Sequence, residues 1–378
     1  MAELIYSSTF NKDSYKIIEL GTDELVQEFE SGDSVTIKGL PEDEAVLCTS
    51  VSTYTVRQVY TSNSFLLLRN DKENQWHVHD DISNTVELLP CPPRLTRLNT
   101  LLSETLYTGP ENENLLSSSL SSSSSSHYTF GSGSSITTPK LYTFEQLLSV
   151  IQASQTELLK ALEDMNCFVL NGYYRCISHP YLHQMLDGLS TNATIMNVDI
   201  RRMTLKDANL CLDQDFADVP SVVRMAFLQT FVKDISQPLL CLDDYKVCRF
   251  LGNVILESER GREWKIEDFS DYWERLTKIV LDIQPDITAL KGLYYTTERQ
   301  VIQKNQIYIT YFPFHELPTE PSERFTRLFS EKSQWSPEDI FPYVDDIARD
   351  EKQRDALLLK FTRLQKFGNK TFYGSRIK

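Results

Sequence analysis

Two pairs of histidines have spacings that are typical of metal ligands. His77 and His79 lie two residues apart and would share one face of a strand, while His179 and His183 are four apart and would share one face of a helix. Zinc sites take three or four protein ligands. The first pair has no third ligand nearby. Pro180, a residue typical of helix starts, lies between the two histidines of the second pair, and the flanking residues are apolar. We therefore predict ordinary edge, surface or core histidines, with no metal and no cofactor.

Motifs that mark common catalytic sites are absent from the sequence. There is no Gly-rich phosphate loop, no Gly-x-Ser-x-Gly and no His-Glu-x-x-His. The acidic pairs at 243–244 and 345–346 are explained more simply as solvated helix faces or partners of helix dipoles than as metal ligands. The seven cysteines include no Cys-x-x-Cys pair, which favours a reducing compartment. We predict that the chain is not an enzyme.

One cluster of cations contrasts with an acidic chain. The net charge is −15, yet residues 356–378 carry six basic side chains and no acidic one. Clustered lysines and arginines attract polyanions such as nucleic acid, although a solubilising basic tail has the same composition. The candidate DNA-binding residues are Lys360, Arg363, Lys366, Lys370, Arg376 and Lys378.

A serine-rich segment divides the chain. Residues 117–135 hold twelve serines and two glycines. Such a segment buries too little apolar surface to offset the entropy of ordering it. We therefore predict a disordered linker over 107–140, and we expect no transmembrane helix because no run of about 20 apolar residues occurs.

The part before the linker, 1–106, is predicted to be rich in β-structure. Short runs of β-branched and aromatic residues, separated by Gly, Pro, Asp and Asn, predict strands at 14–20, 34–40, 45–49, 54–60 and 64–69. These strands are few for an independent barrel, and open sheet edges must be paired or protected. We predict a partial barrel that a partner protein completes by strand addition. A self-contained sandwich is the alternative.

Helices and hairpins are predicted after the linker. Capping boxes at Thr143-x-x-Gln146 and Ser154-x-x-Glu157 predict two helix starts, and Asn171-Gly172 between apolar runs predicts a hairpin flanked by Cys167 and Cys176. Helices followed by a hairpin are typical of a winged helix. We predict an α+β chain with tandem winged-helix modules at 141–215, 216–316 and 317–378.

The last of these modules, 317–378, is predicted in most detail. Ser336-Pro337-Glu338 predicts a helix start, with Trp335 and Ile340 packed together as a hydrophobic staple. A longer helix is predicted over 350–367, ending at Gly368, and the residues 370–376 are predicted to form the wing.

Four segments of the chain resemble the DCC family of sister chromatid cohesion proteins. They are YTVRQVYTSNSFLLLR at 54–69, PSERFTRLFSEKSQW at 321–335, SPEDI at 336–340 and FGNKTFYGSR at 367–376. The resemblance implies a scaffold subunit of an alternative replication factor C clamp loader. It further implies that 1–106 co-folds with the large and small chromosome-transmission-fidelity subunits into a shared barrel.

The resemblance also implies partners for the second half of the chain. The winged helices would bind the catalytic subunit of DNA polymerase epsilon, and 317–378 would bind single- and double-stranded DNA, with the sliding clamp as an indirect partner. Arg363, Lys366, Lys370 and Arg376 match the basic pattern of the family's last module. Gln365 and Asn369 lie where more basic residues are expected, which predicts weaker DNA binding than in other members.

The resemblance implies a nuclear protein that acts in DNA replication and cohesion, and we expect no membrane partner. ATP hydrolysis is expected in other subunits, since the sequence has no nucleotide-binding motif. A winged-helix transcription regulator and a winged-helix trafficking scaffold are the alternatives. The first requires preference for one DNA sequence, and the second requires protein partners but no DNA.

Overall fold

The computed structural model describes residues 4–8, 10, 15–32, 34–60, 62–70, 75–113, 140–301, 304–368 and 370–376. The chain forms two compact units, Met1–Leu95 with Glu145–Ala161, and Thr96–Phe144 with Leu162–Lys378. Helices and strands both contribute largely, so the prediction of an α+β chain is confirmed. Within the described ranges, no helix has the length and apolar character needed to cross a bilayer.

The first unit contains two sheets. The larger has the strand order β2-β8-β5-β4-β3, formed by Ile17–Glu19 (β2), Thr36–Lys38 (β3), Val46–Cys48 (β4), Thr53–Tyr60 (β5) and Asn84–Cys91 (β8). The smaller has the order β1-β7-β6, formed by Leu4–Tyr6 (β1), Leu66–Asn70 (β6) and Trp76–Asp81 (β7). The predicted strands at 14–20, 34–40, 45–49, 54–60 and 64–69 all have a counterpart here, β2 to β6 in order.

One face of the five-stranded sheet carries the core of the first unit. Tyr54 lies opposite Leu47 on one side and Pro90 on the other, and Leu88 lies opposite Val56. These side chains share a face because strand side chains alternate. Helix α1 (Asp23–Glu30) covers this face with Leu25, which is fully buried. Helix α1 was not predicted from the sequence, because it spans only eight residues and has one buried residue.

Two helices from beyond the serine-rich segment belong largely to the first unit. They are α3 (Phe144–Val150) and the first part of α4 (Gln155–Asp164). The capping box predicted at Ser154 is confirmed: the Ser154 amide donates to Glu157 Oε2 at 2.9 Å, and the Glu157 amide donates to Ser154 Oγ at 3.2 Å. Thr53 of β5 donates to the same carboxylate, which ties α4 to the sheet.

The second unit is built mainly from helices: α2 (Thr96–Ser103), α5 (His179–Ile195), α6 (Leu205–Phe216), α7 (Ser221–Phe231), α8 (Asp244–Ser258) and α9 (Ile266–Leu281). A continuous apolar core runs through α5 to α9 and includes the fully buried Leu189, Phe227 and Leu251. Neither α5 nor α6 was predicted from the sequence. In α5, buried Ser190 and Asn192 interrupt the apolar pattern that would have revealed it.

Hairpin β9–β10, formed by Phe168–Leu170 and Tyr173–Arg175, confirms the turn predicted at Asn171-Gly172. Both turn residues have positive φ, 53° at Asn171 and 85° at Gly172. This conformation suits asparagine and glycine and is required by the tight turns that match strand twist. The local sequence therefore determines this element.

The second unit repeats one arrangement of helices and strands. In the first copy, β11 (Glu263–Lys265) pairs with the second strand of the hairpin β12 (Tyr294–Val301) and β13 (Lys304–Tyr311). In the second copy, β14 (Gln334–Trp335) pairs with the second strand of the hairpin β15 (Thr362–Phe367) and β16 (Lys370–Ser375). A helix precedes each short strand and helical segments follow it: α8 and α9 in the first copy, and in the second α10 (Pro321–Glu331), α11 (Pro337–Ile340) and α12 (Glu351–Phe361).

The helix predicted over 350–367 is wrong at its end. Helix α12 stops at Phe361, and Thr362–Phe367 form strand β15. Thr362 is buried and extended, and its hydroxyl donates to the carbonyl of Leu358, which ends the helix. Gly368, with φ of 60°, belongs to the turn of the β15–β16 hairpin and not to a helix end.

The predicted linker 107–140 is partly described. Residues 114–139 lie outside the described residues. Tyr107, however, is fully buried, and its amide donates to the carbonyl of Cys176 at 2.8 Å. Ordered structure in the second unit therefore extends into the segment that composition assigned to a linker, because the Tyr107 side chain packs in the core.

Candidate nucleic-acid interface

The hairpin β15–β16 positions most of the candidate DNA-binding residues. Arg363 lies opposite Gly374, and Lys366 lies opposite Thr371. Because Arg363 and Lys366 are three positions apart on one strand, their side chains leave opposite faces of the sheet. The structure describes the backbone of Lys370, which pairs with Phe367. Lys378 lies outside the described residues.

The cations of this region have few internal partners. Lys360 at the end of α12, Arg363 and Lys366 are all exposed. None of the ion pairs in the described ranges involves these three residues. Arg354, by contrast, contacts Asp345 at 3.3 Å and Asp355 at 3.4 Å. Lys360, Arg363 and Lys366 are therefore the cations of this module best placed to meet an external anion.

Arg376 has a structural partner as well as an exposed position. Its Nη1 donates to the carbonyl of Leu359 at 2.8 Å, and its amide donates to the carbonyl of Phe361 at 3.1 Å. The last carbonyls of a helix lack partners within the helix and are stabilised by cations. Arg376 thus fixes the chain that leaves β16 against the end of α12.

A buried arginine links several segments of module 317–378. The side chain of Arg324, 1% exposed, donates to the carbonyls of Pro318 at 2.6 Å and Tyr343 at 2.9 Å. It also forms an ion pair with Asp346 at 2.5 Å. Burial raises the pKa of the Asp346 carboxyl above its usual value, and the Arg324 guanidinium only partly offsets this effect. The burial of Arg324 was not predicted from the sequence, since arginine is rarely buried unless it is paired.

Gln365 links the three strands of the last sheet. Its Oε1 accepts a hydrogen bond from Gln334 Nε2 of β14 at 2.7 Å, across the intervening β16. Gly374 lies between them, and a Cβ at this position would come within 2.7 Å of Gln365 Nε2. Gln365, which departs from the basic pattern expected from the resemblance, is therefore part of the sheet's hydrogen bonding.

The arrangement suits contact with phosphates more than base recognition. Exposed cations on two faces of a hairpin and at the end of a helix can neutralise phosphates along a nucleic-acid backbone. Leu359 and Leu364 are exposed beside them, at 76% and 57%. No reacting pair of nucleophile and base accompanies these residues in the described part of the module.

A candidate surface for a protein partner lies in the first unit. Ile37 of the edge strand β3 lies opposite Leu47, and Ile18 of the other edge strand β2 lies opposite Val86. Both isoleucines therefore share the apolar face of the sheet, yet they are 64% and 40% exposed. Helix α1 covers the centre of this face and leaves both edges open.

His179 and His183 each lie beside a carboxylate. His179 Nδ1 lies 2.6 Å from Glu257 Oε2, and His183 Nδ1 lies 3.6 Å from Asp187. The hydrogen bond with His179 lowers the pKa of Glu257. In the described ranges, no group of three or more His, Cys, Asp or Glu residues is arranged to hold a metal ion.

A family model described as sister chromatid cohesion protein Dcc1 matches residues 15–344 of this chain. The chain belongs to this family. Similar members include the sister chromatid cohesion protein DCC1 of Xenopus laevis, 28% identical over 95% of this chain and 88% of the relative. The Homo sapiens protein is 26% identical over 93% of this chain and 86% of its own, and the Saccharomyces cerevisiae protein is 22% identical over 96% and 97%.

The family assignment and the candidate interface rest on different observations. The Dcc1 family model ends at residue 344, before α12 and the β15–β16 hairpin. The predicted family is confirmed, whereas the DNA-binding residues depend on their own charge, exposure and placement.

Proposed function

We propose that this chain is a non-catalytic scaffold subunit of an alternative replication factor C clamp loader, acting in the nucleus in DNA replication and sister chromatid cohesion. Membership of the Dcc1 family carries the proposal. In this role the chain connects the loader to DNA and to the leading-strand DNA polymerase epsilon, and other subunits hydrolyse ATP.

The first unit docks onto the loader. Its partners in this proposal are the large and small chromosome-transmission-fidelity subunits, which complete a partial barrel begun by residues 1–106. The open edges of the five-stranded sheet support this role, since Ile18 and Ile37 extend the apolar face without being covered. Exposed apolar patches of this kind favour protein partners.

The proposed winged-helix modules have boundaries at 141–215, 216–316 and 317–378. The last two lie in the second unit, whereas Glu145–Ala161 of the first module belong to the first unit. In the last two, a short strand pairs with the second strand of a following hairpin, in the orders β11-β13-β12 and β14-β16-β15. This arrangement of helices and three strands is typical of winged helices and supports the assignment. The modules bind the catalytic subunit of DNA polymerase epsilon.

Module 317–378 binds single- and double-stranded DNA through its cations. Exposed Lys360, Arg363 and Lys366 support this role, together with the placement of Arg376 and Lys370 around the same hairpin. Because phosphate contacts position a protein without reading sequence, the binding should be nonspecific.

DNA binding of the full-length chain, measured across a salt titration, tests the proposal. With about five phosphates neutralised, log K should fall with log salt with a slope near −4.5, and Lys360→Ala/Arg363→Ala/Lys366→Ala should reduce that slope to about −2. The matched control Arg202→Ala/Lys206→Ala/Lys233→Ala removes the same charge from exposed positions elsewhere in the second unit. It should leave the slope unchanged.

Three results would contradict the proposal. Equal slopes for the two triple variants would exclude the hairpin as the DNA site. Strong preference for one DNA sequence would favour a transcription regulator. Protein partners without any DNA binding would favour a trafficking scaffold.

A further inference from the structure

Two cysteines face each other at the open end of hairpin β9–β10. The register pairs Phe168 with Arg175, so the next positions outward, Cys167 and Cys176, are opposite each other. Their sulfur atoms lie 2.8 Å apart, and both thiols are free. This approach is closer than van der Waals contact between two sulfur atoms.

The backbone around these cysteines explains the close approach. The Cys167 amide donates out of the hairpin to the carbonyl of Leu162 at 2.9 Å, and the Cys176 carbonyl accepts from the Tyr107 amide at 2.8 Å. Cys167 and Cys176 therefore form a non-hydrogen-bonded pair, in which antiparallel strands bring Cα atoms to about 4.5 Å. That spacing lies within the range a disulfide spans.

We propose that Cys167 and Cys176 are a redox modification site, which a peroxide converts reversibly into an intramolecular disulfide. One thiolate attacks a peroxide oxygen, the O–O bond breaks, and a sulfenic acid and one water form. The second thiol attacks that sulfur, the S–O bond breaks, and a second water leaves. Each sulfur loses one electron and hydrogen peroxide gains two. Two molecules of a reducing thiol such as glutathione restore the pair by exchange and leave as their own disulfide.

The environment makes this reaction selective and slow. Cys167 is partly exposed and Cys176 is 8% exposed, so peroxide reaches Cys167 first. The contact with Cys176 and burial raise the pKa of the Cys167 thiol. Since the thiolate is the nucleophile, the rate of oxidation should rise with pH.

A disulfide here would strengthen the anchorage of residues 105–113. Arg175, next to Cys176, donates to the carbonyls of Thr105 at 2.5 Å and Leu106 at 3.3 Å and forms an ion pair with Glu113 at 2.7 Å. Tyr107 is held by Cys176 itself. Linking the hairpin's two ends therefore restrains the strand on which this segment rests.

Peptide mapping of the full-length chain tests the proposal directly. After treatment with hydrogen peroxide and blocking of remaining thiols, trypsin cuts after Arg175 and separates the two cysteines. Peptides 161–175 and 176–201 should then be recovered joined, with loss of two of the seven thiols. The joined peptides should disappear after reduction.

Matched variants separate this pair from general thiol oxidation. Cys167→Ser and Cys176→Ser should each abolish the joined peptides, whereas Cys241→Ser, at another partly exposed thiol, should keep them. The wild type should melt roughly 5 °C higher when oxidised than when reduced, a difference that both pair variants should lack. Recovery of Cys167 and Cys176 as separately oxidised or unmodified peptides, while Cys241 reacts, would overturn the proposal.

Discussion

Three buried arginines in the second unit share one way of tolerating a charge in the interior. Arg175, Arg224 and Arg324 each donate to main-chain carbonyls and pair with one carboxylate, of Glu113, Asp213 and Asp346 respectively. In Arg224 the carbonyls belong to the end of α6 and the turn after it. A buried cation is tolerated when its donors are satisfied and a counter-charge is near.

Removing one of these arginines should destabilise the chain strongly. Arg324→Leu would leave three carbonyls and the Asp346 carboxylate without their partner, and should lower the free energy of unfolding by about 3 kcal/mol. Arg327→Leu on the same helix is the control, since its ion pair with Glu331 is half exposed and contributes about 0.5 kcal/mol or less. Urea unfolding of both variants measures the difference. Similar losses in the two would show that Arg324 is not a structural residue.

At the scale of elements, short-range signals and tertiary contacts determined different parts of the fold. Hairpin β9–β10 was predictable because Asn171-Gly172 alone specifies its turn. The end of α12 was not, because Leu364 continues the apolar pattern of the helix while pairing with Tyr373 makes the segment a strand. The cluster of basic residues was visible in the sequence. Its distribution over two faces of a hairpin was not, because β15 was predicted as the end of a helix.

The open edge of β3 gives a test of partner binding. Ile37→Asp places a charge on the exposed end of the apolar face, and should reduce co-purification of clamp-loader subunits at least about tenfold, because an interface cannot solvate that charge. The fold should tolerate the change, since Ile37 is 64% exposed. Thr36→Asp is the matched control on the opposite face of the same strand. Equal recovery of partners with both variants would exclude this edge as the docking surface.

At the scale of the whole molecule, neither compact unit is a continuous stretch of sequence. The first unit needs both Met1–Leu95 and Glu145–Ala161, and the second needs both Thr96–Phe144 and Leu162–Lys378. A fragment 1–106 would lose Gln152, whose side chain donates to the carbonyl of Glu44 at 2.7 Å, and the Glu157 partner of Thr53. Composition placed a boundary at the serine-rich segment, whereas packing does not follow it.

Cutting the chain should therefore not take it apart. A protease site inserted into the serines at 121–126 yields two polypeptides, and each contributes to both units. The nicked protein should elute from gel filtration as one species and melt close to the intact chain. Separation of the two polypeptides without denaturant would contradict this expectation. Because each unit takes residues from both sides of the serine-rich segment, that segment can be severed or lengthened while both units stay folded.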